Sequence, residues 1–543
     1  MIKAILLITL LFTATIFAQI QFATAVGGAN AEGGQFVTQA ADGGYTVVGL
    51  TNGFGAGDAD LFLVNFTSTG SLTWSHAAGG TNTDYGYSVS LTADSGYAVV
   101  GQTASFGAGN FDLFLMKFHS TGSLEWSRAI GGTNTDYGFS GVQTFDGGYA
   151  AIGATISFGA GGWDLFLVKF DSTGLLEWSR AVGGLSAEYG RSVVQTADSG
   201  YAVVGQTASL GAGSYDLLLL KFSSTGSLEW SRAVGGTDWD ENWSIIQTSD
   251  GGYAVAGFTR SFGAGDYDLF LAKFNSTGSP EWSRAVGGTN DDRGYSVIQT
   301  SDGGYAATGY TRSFSAGNPD LFLVKFSPTG SLEWSNAVGG TINDIGYSVI
   351  QTLDGGYAVA GYTMNFGAGN SDLFLVKFDS DGNSCIGEEI FPTVTDVSPI
   401  LTDVSPTVAD VSPTNTDVTP TVTSVAPAVT EICTNDTCDF IIAQWLCPTP
   451  CWQHSSCENQ IMVGTLWSDS TQIDTSRVYF TVNPGVGSPF QLHEPSTNID
   501  FICLTPSCDS ILVEISGFAW TEDSTVIINL DSAFTIDGCK TSW

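Results

Sequence analysis

The sequence predicts an all-β chain dominated by a seven-bladed β-propeller, and three observations carry that expectation. Asp-Leu-Phe-Leu or a near variant starts at Asp60, Asp112, Asp164, Asp216, Asp268, Asp320 and Asp372, each 52 residues after the one before. No insertion breaks this spacing and nothing inside the unit has a helical hydrophobic period, so each unit reads as one blade of short strands. The last copy stops short of its outer strand, and a matching strand stands near the start of the chain.

Residues 1–18 precede the repeats and read as an export signal: Lys3, an apolar run from Ala4 to Phe17, then Ala18 before Gln19. The run is shorter than the roughly 20 residues of a spanning helix, and no other stretch reaches that length. A secreted or cell-surface location is therefore expected. Gln21 to Gly28 aligns with the Trp-bearing outer strands, Phe22 lying 52 residues before Trp74. The N-terminal strand is thus expected to complete the seventh blade and close the ring, giving a propeller over residues 19–387.

The unit from Gly79 to Ala129 shows how a blade is written. An inner strand around Tyr87 to Thr92 reverses at Asp94-Ser95-Gly96, which is Asp-Gly-Gly in other copies, a strong hairpin signal. The second strand, Tyr97 to Thr103, and the third, Leu113 to Phe118, are nearly continuous apolar runs, as expected where blade packs on blade. The outer strand, Leu124 to Ile130, mixes Glu125, Trp126 and Arg128, and six of seven copies carry Lys at the third-strand position of Lys117. These charges read as an edge kept soluble and unwilling to pair.

Laid out as Gly-Gly-Thr-Asn-x-Asp-x-Gly-Tyr-Ser-Val followed by Thr-x-Asp-Gly-Gly-Tyr-Ala-Val-x-Gly-x-Thr, the repeat resembles exported bacterial and archaeal seven-bladed propeller repeat proteins. The resemblance covers about two thirds of the chain and implies fold and a surface or secreted location, with no single reaction attached. The stretch Leu165 to Trp178 is also similar to the blade motif of pyrroloquinoline-quinone and kelch-like propellers. The repeats have no cysteine through residue 384, whereas many alcohol-oxidising quinone enzymes carry adjacent ones, so that similarity implies blade packing and not redox chemistry.

The formal net charge of −37, with only 17 Lys and Arg, excludes nucleic acid and anionic membranes as partners and leaves cations, neutral glycans or basic proteins. Two loops of each blade open on one face, and each carries a carboxylate in every copy. One ring is Asp60 and its equivalents; the other is Glu32, Asp84, Asp136, Glu188, Asp240, Asp292 and Asp344. A feature present in all seven copies points first to turn-holding bonds to backbone N–H groups. The other reading is calcium, since Asp58 with Asp60, and Asp266 with Asp268, put two hard oxygen ligands on one loop.

Asymmetry is the better guide to a specific ligand. Before the third-strand Asp stand Ala59, Phe111, Trp163, Tyr215, Tyr267, Pro319 and Ser371, so four neighbouring blades offer aromatic rings on the acidic face. Trp239 and Asp240 fall in the stretch that departs most from the repeat. Rings beside carboxylates suit sugars, which makes Phe111, Trp163, Tyr215, Tyr267, Trp239 and Asp240 the candidate ligand-binding set. The competing reading is that the rings pack between loops.

Residues 388–431 repeat Pro, Thr, Val and Asp in a seven-residue rhythm, as in Thr395-Asp396-Val397-Ser398-Pro399, and read as an extended spacer or stalk. Residues 432–543 hold eight cysteines and short alternating strands, as expected for a small disulfide-stapled β-sandwich; zinc at Cys447, Cys451, His454 and Cys457 is the alternative. Cys385 is left over and is expected to pair outside that module or with another chain. The expected whole is a monomeric, exported, non-catalytic recognition or adhesion protein binding an extracellular glycan or protein. A secreted glycan-active enzyme and a purely structural surface component are the alternatives, and no catalytic residue or cofactor other than calcium is singled out.

Overall fold

The computed structural model describes residues 21–315, 317–434 and the strands between residues 458 and 542. The export signal and the cysteines Cys438 to Cys457 lie outside the described residues.

Each of the first six 52-residue units forms four antiparallel strands, and the seventh forms three. In blade 2 these are Asp84–Leu91, Tyr97–Thr103, Asp112–Phe118 and Leu124–Gly131. The second and third strands bury every residue, because each blade has both faces covered by its neighbours. Each apolar cluster accordingly draws on two adjacent blades. Ile152 and Leu167 of blade 3 meet Val203 and Leu218 of blade 4, for example.

Ring closure is as the sequence predicts. Phe22–Gly27 pairs antiparallel with Asp372–Phe378, Phe22 opposite Lys377 and Val26 opposite Leu373. Phe22 and Val26 then join Val47, Phe62 and Leu373 in the core between blades 7 and 1.

The spacer expectation is overturned. The segment is extended, yet it adds a fifth strand to every blade. Glu388–Glu389 pairs with blade 6, Thr393–Asp396 with blade 5, Ile400–Asp403 with blade 4, Thr407–Asp410 with blade 3, Thr414–Asp417 with blade 2, Thr421–Ser424 with blade 1 and Ala428–Thr434 with blade 7. The seven-residue rhythm is the step from one blade to the next: four residues pair, and Val-x-Pro (x is Ser, Thr or Ala) crosses to the neighbour. At each crossing the valine (Val397, Val404, Val411, Val418, Val425) packs onto the core between two blades. A disulfide between Cys385 and Cys433 ties the two ends together, so the belt is a covalent hoop around the rim. The leftover cysteine does find its partner, in a residue that the sequence had placed in the C-terminal module.

The outer-strand charges are therefore corrected too. They do not repel a further strand; they receive one. Arg180 stacks on Trp178, pairs with Asp410 of the belt at 2.9 Å, and donates to the carbonyls of Thr225 and Gly226 in the next blade. Arg128, Arg232 and Arg284 repeat the arrangement with Asp417, Asp403 and Asp396. Where blade 1 has His76 in place of Arg, the belt has Ser424 in place of Asp, and the two side chains meet at 3.2 Å. Ser179 and its counterparts donate to belt carbonyls such as that of Val411, at 2.7 Å.

Lys117 is not an edge residue either. It is 3% exposed and bridges Asp94 of its hairpin at 2.9 Å and Glu125 of the outer strand at 2.7 Å. Burial alone would raise the Asp94 carboxyl, but hydrogen bonds from Thr92 and Lys117 outweigh it and hold the group down at about 2. The same clamp recurs at Lys169, Lys221, Lys273 and Lys325, each with two carboxylates. The apolar body of a lysine fills the blade while the paired charges offset its desolvation.

The described strands of the C-terminal unit form two antiparallel sheets. One has three strands (Glu458–Trp467, Ser510–Ala519, Ile499–Cys503) and the other four (Phe490–His493, Tyr479–Asn483, Ile527–Phe534, Lys540–Ser542).

Candidate binding face and axial channel

The two rings of carboxylates hold the loops. Asp84 accepts from the Gly80 N–H and the Ser105 hydroxyl, both at 2.7 Å. Asp240 does the same with Gly236 and Ser261, at 2.7 and 2.8 Å. Asp240 is buried, so of the candidate ligand-binding set it serves the scaffold and is not presented to the face. In the other ring, one oxygen of Asp112 accepts from the Gly109 N–H at 3.0 Å, while the other is buried against Gly131. A Cβ on Gly131 would lie 1.8 Å from that oxygen, which is why glycine stands there. Burial, reinforced by Asp136, pushes the Asp112 carboxyl up to about 6, and Asp164 and Asp268 are pushed up to about 6 chiefly by burial as well.

The residues named for calcium divide. Asp60 and Asp268 are buried, and each accepts from two loop N–H groups, Ala56 and Gly57 for Asp60, Ala264 and Gly265 for Asp268. Asp58 and Asp266 are exposed on the same loops. The geometry brings neither pair into a group of three or more metal-ligating side chains among the described residues.

The aromatic candidates do come together. Phe111, Tyr137, Trp163 and Tyr189 form a chain of ring contacts across blades 2 to 4. Phe111 meets Tyr137 at 5.8 Å, Tyr137 stacks on Trp163 at 4.9 Å, and Trp163 meets Tyr189 at 5.6 Å. Tyr215 stacks on Trp239 at 4.8 Å, and their backbones pair, fixing both rings to one ledge. The Trp239 indole N–H donates to Glu241 at 2.6 Å. Tyr267 stands apart from these, with the Arg293 guanidinium over its ring at 4.2 Å. All five candidate rings are half-buried. The other three blades carry Ala59, Pro319 and Ser371, with Gly33, Arg293 and Ile345, at the corresponding positions.

Two residues further along each inner strand the same face opens into an axial channel. Five of its seven positions are aromatic: Tyr87, Phe139, Trp243, Tyr295 and Tyr347. Gln35 and Arg191 fill the other two, and the cavity between them holds about 180 Å³. Successive rings touch, Tyr87 with Phe139 at 5.6 Å, Trp243 with Tyr295 at 5.3 Å and Tyr295 with Tyr347 at 5.2 Å. Arg191 completes the necklace, its guanidinium 4.3 Å from the Trp243 ring and 4.8 Å from that of Phe139. The sequence reading passed over this tier. Its signal was the position two residues after the aromatic or variable one at 85, 137 and 189: Tyr in three copies, Phe at 139, Gln at 35, Arg at 191 and Trp at 243.

The fold and this face define a seven-bladed β-propeller with one aromatic-lined end. No family model matches the chain. Over 197 residues it is 28% identical to the regulatory protein FlaEY of Caulobacter vibrioides, a match spanning 33% of this chain and 19% of that protein. Among solved structures it is similar to the endo-1,5-alpha-L-arabinanase of Thermotoga petrophila RKU-1, at 10% identity and a TM-score of 0.26 over 65% of this chain and 99% of that one.

Proposed function

We propose that this protein is an exported, non-catalytic recognition protein that binds an extracellular glycan on the aromatic ledge of its propeller. The observation that carries the reading is the confinement of rings to one side of the face. Phe111, Trp163, Tyr215 and Tyr267 occupy four consecutive blades, while the equivalent positions of the other three hold small residues or proline. Scaffold needs repeat in every blade, and a feature confined to four serves something else. Half-buried rings in stacked contact are pre-ordered, so a sugar that stacks on them orders little at the moment of binding. The carboxylates around them suit a neutral glycan better than an acidic one. A closed hoop with a disulfide accords with an oxidising compartment.

A glycan array followed by titration of a retained sugar tests this. Wild type should bind a neutral glycan, and Trp163→Ala should weaken it at least tenfold with the melting temperature little changed. Absence of binding to any neutral glycan, or binding that survives both Trp163→Ala and Trp239→Ala, refutes the reading.

A further inference from the structure

We infer that the axial channel is a binding site for a small monocarboxylate with a flat body, held by Arg191 and Trp243. The inference goes beyond the glycan reading and does not depend on it, since the channel tier and the ledge use different residues.

The channel wall combines polar groups held by the scaffold with two donors that are not. Three of the serines that line it are engaged with the scaffold: Ser192 accepts from the Ile245 N–H, Ser244 from that of Val297 and Ser296 from that of Val349. Arg191 and Trp243 are not engaged in this way. The Arg191 Nε–H and the Trp243 indole N–H are both buried without an acceptor. Each such donor carries an uncompensated desolvation cost, larger for a charged group. Two of them side by side at one cavity mark the place of a missing acceptor.

The chemistry of that acceptor follows from geometry. Aromatic rings flank the guanidinium, which satisfies its π faces and leaves its in-plane N–H donors for a partner. A carboxylate is the planar acceptor that takes paired in-plane bonds from Arg. Glu241, on the same inner strand as Trp243, accepts from the Trp239 indole at 2.6 Å and acts on Arg191 through space, with no hydrogen bond or ion pair between the two. The body of the ligand would lie among Tyr87, Phe139 and Tyr295, in a cavity of about 180 Å³ that admits one ring and little more. With a formal charge of −37 on the chain, a multiply charged ligand would be repelled from afar, whereas a single charge meets Arg191 at short range.

The full-length protein should be titrated with benzoate and with glucuronate, each beside its uncharged counterpart (benzyl alcohol and glucose), following tryptophan fluorescence and the melting temperature. The expected result is saturable binding of at least one acid, at least tenfold tighter than its neutral counterpart. Which acid binds tells an aromatic acid from a sugar acid. Arg191→Gln should abolish the preference for the charged form, and Trp243→Phe, which keeps a ring but removes the donor, should weaken the acid alone, severalfold. Circular dichroism of both variants establishes that they fold. If neither acid binds at millimolar concentration, if acid and neutral partner bind alike, or if folded Arg191→Gln binds the acid as wild type does, the inference fails.

Discussion

Cutting the hoop provides a stringent test of the belt. In Cys385→Ser/Cys433→Ser, residues 388–431 keep all their non-covalent contacts with the rim but lose the closure across a sequence separation of 48. In the intact protein a detached belt is still a closed loop; in the variant it is an open chain. Loop-closure entropy for that length comes to about 4 kcal/mol at room temperature. The belt is built from four-residue edge strands with exposed faces, so it opens locally long before the blades do. The whole 4 kcal/mol should therefore appear in the local opening equilibrium, as an increase of nearly a thousandfold. Native-state hydrogen exchange reads it directly. Amides of Thr395, Thr402 and Thr416 should exchange several hundred times faster in the variant, while those of Leu167 and Leu219, deep in the third strands, should barely change. Limited proteolysis should show the same selectivity, with nicks confined to residues 388–431. Equal exchange of the belt amides in both proteins would refute the hoop, and equal acceleration of the third strands would show that belt and blades open together.

Two further outcomes follow from the same interactions. Removing residues 21–27 deletes the outer strand of blade 7, with Phe22 and Val26 from the core at the seam; burial of such side chains contributes roughly 1.5–3 kcal/mol each, and the lost pairing adds to this, so thermal melting should fall by several degrees or more. An unchanged melting temperature would overturn the closure. The pH profile of stability should peak in mild acid. Asp112, Asp164 and Asp268 sit higher in the folded chain than in the unfolded one, at about 6, so their contribution is full below about 4 and is lost as pH rises through 6. Asp94, Asp146 and Asp198 sit lower, at about 2, so their contribution is present above about 4 and is lost as pH falls through 2. Melting scans should therefore show a maximum between about pH 4 and 5, and a monotonic rise of stability from pH 4 to 8 would contradict the placement of the loop carboxylates.

Much of this architecture was legible because it is local. A blade is a run of hairpins, so strand order, turn positions and the apolar second and third strands follow from neighbours in the chain. Even the closure by Phe22 could be read, since the 52-residue register extends unbroken to the N-terminus. The candidate rings were legible as departures from the repeat, and four of the five proved to be in stacked or edge contact across neighbouring loops. Asp240 was misjudged because a carboxylate beside a tryptophan looks the same in sequence whether it faces solvent or its own turn.

What the sequence determined alone is the seven-fold repeat, its strands and its self-closure, all set by hydrogen bonds and apolar alternation within one unit. What the tertiary structure decided is everything that depends on residues brought together by the ring. A Thr-Asp-Val-Ser-Pro heptad has no partner within its own stretch and so reads as a free spacer. Only once the blades stand in a circle do Arg180 and Asp410 meet and turn that spacer into a belt. Arg191 and Trp243, 52 residues apart, likewise face one another only because successive inner strands line a common axis, where burial strips both donors of water and leaves a site for an acceptor.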